Sequence, residues 1–500
     1  MNNKSKFWLL IVGTVIFTAV FWKQSIGVNS LIFSVFIVLS LLLTFPESRK
    51  SKYALFVYFG TIISSLSIVY HGSVLAIFVW IMSLFFLQPI VQYSELRTLF
   101  FAGFSGIVEY LTSFTVIGEN VKKGSKASKS SKKIFKIVRF VIIPIVAFFA
   151  FYWIYKAAVP TFDNLTDSIF GKLNRWLTNI FQDISFEIIF MVLWGFLTTL
   201  WYLYKKKSNN IIIEEAKYQD EINRKRGKEF FKFGNPRGLK PLLKYENTIA
   251  LILVIAVNVL LLTVNFLDIT TIWFGFEYTQ GFDLKQFVHE GTYLLIFSIL
   301  LSMGIMLFYF RSNLNFFSKN KALKIATYIW IAQNLVLLIS VVIRNLHYIE
   351  HFALAYLRIG LFFFLALVIV GLITLSLKIK DKKSLFYLLK TNTWALYIGF
   401  VLFAVPDWDT FIAKYNLNHY PNAFVEASYM LTLDEKVYPL IDQNQELLLQ
   451  DDSLNTYRYF SDSYDVEFER KVNDFMNEYP EKSWLSWNYK DYLAYKYFKD

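Results

Sequence analysis

Not one cysteine occurs among the 500 residues, so disulfides, thiolate metal sites and cysteine nucleophiles are excluded outright. Charge is scarce as well: Asp, Glu, Lys and Arg make up only 18% of the chain, against 55% apolar residues and a mean hydropathy of +0.41. A soluble protein of this length needs a polar shell, and these charges are too few to build one. No nucleophile elbow, Walker loop, HExxH sequence or pair of catalytic carboxylates occurs. The nearest approach to a glycine motif, Gly234-Asn235-Pro236-Arg237-Gly238, reads as an ordinary turn. The sequence therefore assigns no catalytic residue, no metal and no cofactor.

What is present in quantity is apolar run and aromatic side chain, with 52 Phe, 31 Tyr and 13 Trp. Stretches near the length needed to cross a hydrocarbon core about 30 Å thick occur at Phe7–Trp22, Val28–Phe45, Tyr53–Tyr70, Gly72–Val91, Phe140–Tyr155 and Phe186–Tyr204. They continue at Thr248–Phe266, Gly291–Phe310, Ile325–Ile343, Ile359–Leu377 and Thr393–Val405, about 11 in all. No small-x-small cleavage pattern follows Trp22, so the first run reads as a retained span. The expected fold is all-α: a polytopic transmembrane helical bundle with a small helical extracytoplasmic domain at its C-terminal end.

Charge sets the orientation. The segment Thr98–Ile117 is fairly apolar but contains Glu109, and if it crossed, the Lys-rich stretch Lys122–Lys136 would face outward. If it is re-entrant or interfacial, loops on one side hold about 35 Lys and Arg and the short loops opposite hold 7. The positive-inside bias thus predicts a cytoplasmic N-terminus and an extracytoplasmic C-terminus. Residues 1–413 form the multi-pass domain, with cytoplasmic loops 118–139 and 205–247. Anionic headgroups of the lipid bilayer are the expected partners of Lys122–Lys136 and Lys205–Lys207, rather than nucleic acid. On the opposite face, Phe162–Phe181 has an apolar stripe and should lie flat in the interface. Residues 414–500 hold 9 basic and 16 acidic residues, a net −7, and read as an acidic helical domain docked on the bundle.

One stretch concentrates polar chemistry. Taken as a single helix, Arg344, His347, His351 and Arg358 fall within about 60° of one another, with Glu350 nearby. His289 and Glu290 open the eighth span at the same outer level, and Asp407 and Asp409 close the last. Two readings stay open. These residues could bind a small anionic ligand or lipid headgroup through Arg344 and Arg358. Alternatively both Arg side chains snorkel and pair with Glu290, Glu350, Asp407 or Asp409. A metal held by His289, His347 and His351 matches no known spacing. Glu109 could be a proton-relay carboxylate or a gate, but reads first as a carboxylate facing a polar surface. Asn258, Asn265, Gln333 and Asn334 read as hydrogen-bonding glue between spans.

From Gly281 to Leu440 the chain resembles an uncharacterised family of bacterial polytopic membrane proteins, a domain of unknown function of the DUF4173/DUF4153 kind. The resemblance rests on Val288-His289-Glu290-Gly291, on Arg344…Tyr348…Leu354…Arg358, and on Asp407-Trp408-Asp409 through Ala413-Lys414-Tyr415-Asn416. Tyr429, Leu433-Asp434 and Pro439-Leu440 complete it. Ala353 and Ala355 stand where the family pattern has Gly and Thr, which argues against a tight turn there. The resemblance implies a bacterial inner membrane and no activity. Loop Lys23–Gly27 lacks the acidic residue that resemblance to lipid-linked glycosyltransferases requires, so an enzyme is the least favoured reading. A transporter-like or solute-binding protein comes first, and an envelope scaffold or assembly partner acting through the tail comes second.

Overall fold

The computed structural model describes residues 3–112, 186–204, 210–224, 242–275, 284–311, 313–420, 423, 425–449 and 464–500. Regular structure among them is helical, apart from one bridge between Glu221 and Lys383. Eight described helices are long and apolar enough to cross a bilayer, and Val28–Thr44, Leu99–Tyr110 and Glu187–Leu203 are shorter apolar helices. The predicted span Phe140–Tyr155, the loop 118–139, Lys205–Lys207 and the amphipathic stretch Phe162–Phe181 lie outside the described residues.

By packing, the chain forms two compact units, Met1–Glu215 with Met476–Tyr495, and Ala216–Phe475 with Lys496–Asp500. Those units follow contacts, whereas the division at 413/414 follows composition.

The first unit contains α1 (Asn3–Phe21), α2 (Val28–Thr44), α3 (Lys52–His71), α4 (Val74–Gln92), α5 (Leu99–Thr112), α6 (Phe186–Leu203) and the short α7 (Asn210–Ala216). In an apolar solvent, helices associate where small residues let backbones close up. Gly13 and Gly195 do this between α1 and α6: a Cβ on Gly13 would lie 2.5 Å from Thr199, and one on Gly195 2.7 Å from Phe17. Polar side chains then lock the seams. Trp80 Nε1 donates to Ser34 Oγ at 2.8 Å, and Gln92 Nε2 donates to the carbonyls of Trp201 and Tyr202 at 3.0 and 2.9 Å. The tail segment docks where α1 runs into α2, with Val28 N–H donating to Trp487 O at 3.1 Å and Ser486 Oγ to Gln24 Oε1 at 3.0 Å.

The second unit contains α8 (Leu242–Asp268), extended by a π-helical turn Ile269–Trp273, then α9 (Leu284–Tyr309), α10 (Lys321–Phe352), α11 (Tyr356–Asp381), α12 (Leu385–Phe403) and α13 (Trp408–His419). Its core joins Trp330, Leu337 and Val341 of α10 to Leu261, Ile299 and Leu372. Three of the four predicted amides work as expected on the α8–α10 seam. Gln333 Nε2 donates to Asn258 Oδ1 at 2.7 Å, Asn258 Nδ2 to Ala326 O at 3.1 Å, and Asn265 Nδ2 to Gln333 O at 3.0 Å. Asn334 departs from that pattern, bonding Trp330 O within its own helix at 2.8 Å.

The final span begins eight residues before the predicted Thr393, at Leu385. Ser384 caps it, its Oγ accepting Tyr387 N–H at 3.2 Å. The polar residues that disguise its start are satisfied by neighbours: Lys390 pairs with Asp220, and Thr374 Oγ1 donates to Asn392 Oδ1 at 3.1 Å. Within the tail, residues 435–449 form a 3-10 turn Glu435–Val437 and two short α segments, Tyr438–Asp442 and Gln445–Leu449.

Between α10 and α11 the chain turns sharply after all. Ala353 adopts φ 62° and ψ −169°, a region that suits glycine and costs another residue about 1–3 kcal/mol. The turn is clamped from three directions. Asn416 bonds both backbone groups of Leu354, at 2.7 and 3.0 Å, and Tyr429 OH accepts Tyr356 N–H at 3.1 Å. The Arg358 guanidinium donates to the carbonyls of Phe352 and Ala353.

Candidate functional site

The polar cluster predicted on one helical stripe is broken by that turn. Arg344, His347 and His351 belong to α10, which ends at Phe352, and Arg358 lies one turn into α11. Arg344 is buried and its Nη2 lies 2.6 Å from Asp268 Oδ1, at the end of α8. The sequence reading does not name Asp268 as a counter-ion. The second oxygen of Asp268 is buried without a hydrogen-bond partner among the described residues, so the pair is made through one prong only. A buried ion pair offsets its desolvation only when geometry is complete, and this one is incomplete on the carboxylate side.

The π-helical turn follows Asp268 directly. Such turns shift the register of a helix and leave a carbonyl for another partner. Ile272 O is 3.3 Å from His347 Nε2, and Trp273 Nε1 donates to Ser340 Oγ at 2.9 Å. His351 Nδ1 is 2.8 Å from His347 O, and His347 Nδ1 is 3.7 Å from the exposed Glu350. The side chains of His289 and Glu290 lie outside the described residues, but the backbone at Gly291 faces the pair: a Cβ there would sit 3.4 Å from Arg344 Nη1. Arg358 stands apart, its guanidinium 4.4 Å over the Tyr348 ring. Its bonds to the α10 carbonyls make it the clamp of the Ala353 turn.

A second cluster lies in the same unit and was missed by sequence reasoning. Lys436, whose side chain is 0% exposed, places Nζ 2.9 Å from Asp409 Oδ2 and 2.5 Å from Asp434 Oδ2. Asp407 does something different: it caps α13 by accepting Thr410 N–H and Thr410 Oγ1 at 3.2 and 2.6 Å. Burial pushes the Asp434 carboxyl up to about 6, with Lys436 opposing the rise and the Asp409 charge adding to it. Burial lowers the Lys436 ammonium, but Asp434 and Asp409 outweigh it and the net shift is upward. Six of the residues that carried the family resemblance meet in this region: Leu354, Arg358, Asp409, Asn416, Tyr429 and Asp434.

The first unit holds an apolar cavity of about 490 Å³ among Phe17, Phe33, Trp80, Phe85, Tyr110 and Trp201. No charged side chain lines it, so it offers an anion nothing. Among the described residues no three His, Asp or Glu side chains gather to hold a metal ion.

Long apolar helices around buried, paired charges define a multi-pass membrane protein. Residues 10–444 match the model of a domain of unknown function, DUF4153, and the chain belongs to that family. The match reaches well beyond the Gly281–Leu440 stretch that carried the resemblance. Comparison with curated proteins and with solved structures gave no match.

Proposed function

We propose that this protein is a transporter-like or solute-binding protein of a bacterial inner membrane, recognising a small anionic group at Arg344. The observation that supports the reading is the single-pronged Arg344–Asp268 pair beside a π-helical turn. Asp268 acts as an internal stand-in for the ligand. An incoming carboxylate or phosphate group competes for the same guanidinium, and His347, three residues on along α10, shares its helix face. Arg358 is committed to the turn and holds the frame rather than the ligand. In this reading the N-terminus is cytoplasmic, the C-terminus extracytoplasmic, and the ligand approaches from outside. Anionic headgroups sit against Lys122–Lys136 and Lys205–Lys207.

Inorganic phosphate is the simplest probe, read by thermal unfolding of the purified full chain. Wild type should gain stability with added phosphate, and Arg344→Gln should gain none. Asp268→Asn should unfold earlier without phosphate yet gain more from it, because the Asp268 carboxylate no longer competes for the guanidinium. Equal gains in wild type and Arg344→Gln would remove the site.

A second reading, an envelope scaffold or assembly partner working through the tail, draws on Trp484, which is 69% exposed although its neighbours Ser486 and Trp487 are seated on the first unit. It predicts no phosphate response in any of the three proteins.

A further inference from the structure

Glu109 is the buried carboxylate that the anion site does not use. Only 7% of the residue is exposed, so the sequence reading of a carboxylate facing a polar surface is overturned. Gln88 Nε2 donates to its Oε2 at 2.8 Å and Ser105 Oγ to its Oε1 at 2.9 Å, and the Tyr93 hydroxyl is a third hydrogen-bond partner. None of the three is a cation. Among the described residues, the helices packed most extensively against α5 bring no Lys, Arg or His to it: α4 carries no charge, α6 carries only Glu187 near its start, and the titratable groups nearby are the phenols Tyr93, Tyr110 and Tyr202.

The nearest charged pair sits at the other end of α5. There Glu215 accepts Arg97 N–H, Thr98 N–H and Thr98 Oγ1 at 2.9, 2.9 and 2.8 Å and caps the helix. Thr98, Ser105 and Glu109 fall on one stripe of α5, about 16 Å long. Arg97 Nε lies 3.8 Å from Glu215 Oε2, whereas among the described residues no cation lies beside Glu109.

The partners of Glu109 share one property: each can either donate or accept. The Gln88 amide donates N–H to a carboxylate and, turned by half a rotation, presents Oε1 to a carboxylic acid. That oxygen is buried and unpartnered in the present arrangement. The Ser105 and Tyr93 hydroxyls reverse by rotating their hydrogens. A Lys or Arg would have fixed the charged form, and an apolar wall would have fixed the neutral one.

We infer that Glu109 is a proton-binding site within the membrane-embedded part of the first unit, exchanging one proton with water while Gln88, Ser105 and Tyr93 reorient to suit each form. The step moves a proton and breaks no other bond. It rests on the first unit alone and stands or falls independently of the anion site.

Infrared difference spectra of the full chain in lipid nanodiscs, titrated from alkaline to acidic pH, read the site directly. A protonated-carboxyl C=O band should grow as pH falls, shift in heavy water, and be missing from Glu109→Gln. Gln88→Leu keeps the carboxyl but removes one of its hydrogen-bond partners, so the band should persist at a shifted frequency. Identical spectra for wild type and Glu109→Gln overturn the inference. So does an unshifted band in Gln88→Leu, which also decides the matter if Glu109→Gln does not fold.

Discussion

Lys436→Met should lower the unfolding free energy of this protein by about 3–5 kcal/mol at neutral pH, the usual cost of stranding a buried charge. Lys436 is fully enclosed and holds Asp409, itself 5% exposed, together with Asp434. A surface Lys in an ion pair would cost under about 1 kcal/mol, so the size of the loss separates the two situations. The loss should also depend on pH. The Asp434 carboxyl already sits above its unfolded value, near 6. A carboxyl raised in the folded state stabilises fully below its unfolded pKa, and that contribution is lost as pH rises through the folded one. Without Lys436, which opposes the rise, the Asp434 carboxyl goes higher still, so acidification from neutral pH should restore part of the lost stability. Thermal unfolding followed across pH checks both statements. A uniform loss at every pH, or no loss, would contradict the packing described for this cluster.

Arg344→Met should be comparably damaging, about 3–5 kcal/mol, because it leaves Asp268 buried in an apolar bundle without its counter-ion. The informative companion is the double variant Arg344→Met with Asp268→Leu. Replacing both partners by apolar side chains of similar size removes the stranded charge, and stability should return most of the way to wild type. A double-mutant cycle therefore gives a coupling of several kcal/mol. If Arg344 instead snorkelled to water, the two losses would be small and additive.

Much of this architecture is legible in the sequence because hydropathy is a sum over about 20 residues and tolerates single exceptions. The spans from Phe7, Tyr53, Gly72 and Gly291 have helices close to their expected bounds, and those from Thr248, Ile325 and Ile359 lie within longer helices. Pairings are another matter, since each depends on two positions far apart in the chain. Asp268 ends an apolar run and looks like the first residue of a loop, and nothing local says that Arg344, 76 residues on, reaches it. Lys436 looks like one solvated charge in an acidic tail, and only folding encloses it. The last span starts at Leu385 rather than Thr393: Lys390 and Asn392 lower the local hydropathy there, although partners on other segments satisfy both. Ala353 misled in the opposite sense. Its side chain argues against a tight turn, and the turn forms because Asn416, Tyr429 and Arg358 impose it. The general location of the polar cluster was readable, but its internal bonding was not.

The anion reading requires the ends of α10 and α13 to face away from the cytosol, and the absence of native thiols makes this directly measurable. Single cysteines placed by Ser128→Cys, Ser168→Cys, Ser208→Cys and Ser453→Cys can be exposed to a membrane-impermeant thiol reagent on intact cells, with any outer membrane permeabilised. Labelling at positions 168 and 453, with 128 and 208 protected until the inner membrane is opened, is the predicted pattern. Protection at 453 together with labelling at 208 would turn the chain over and put Arg344 on the wrong side for an external anion.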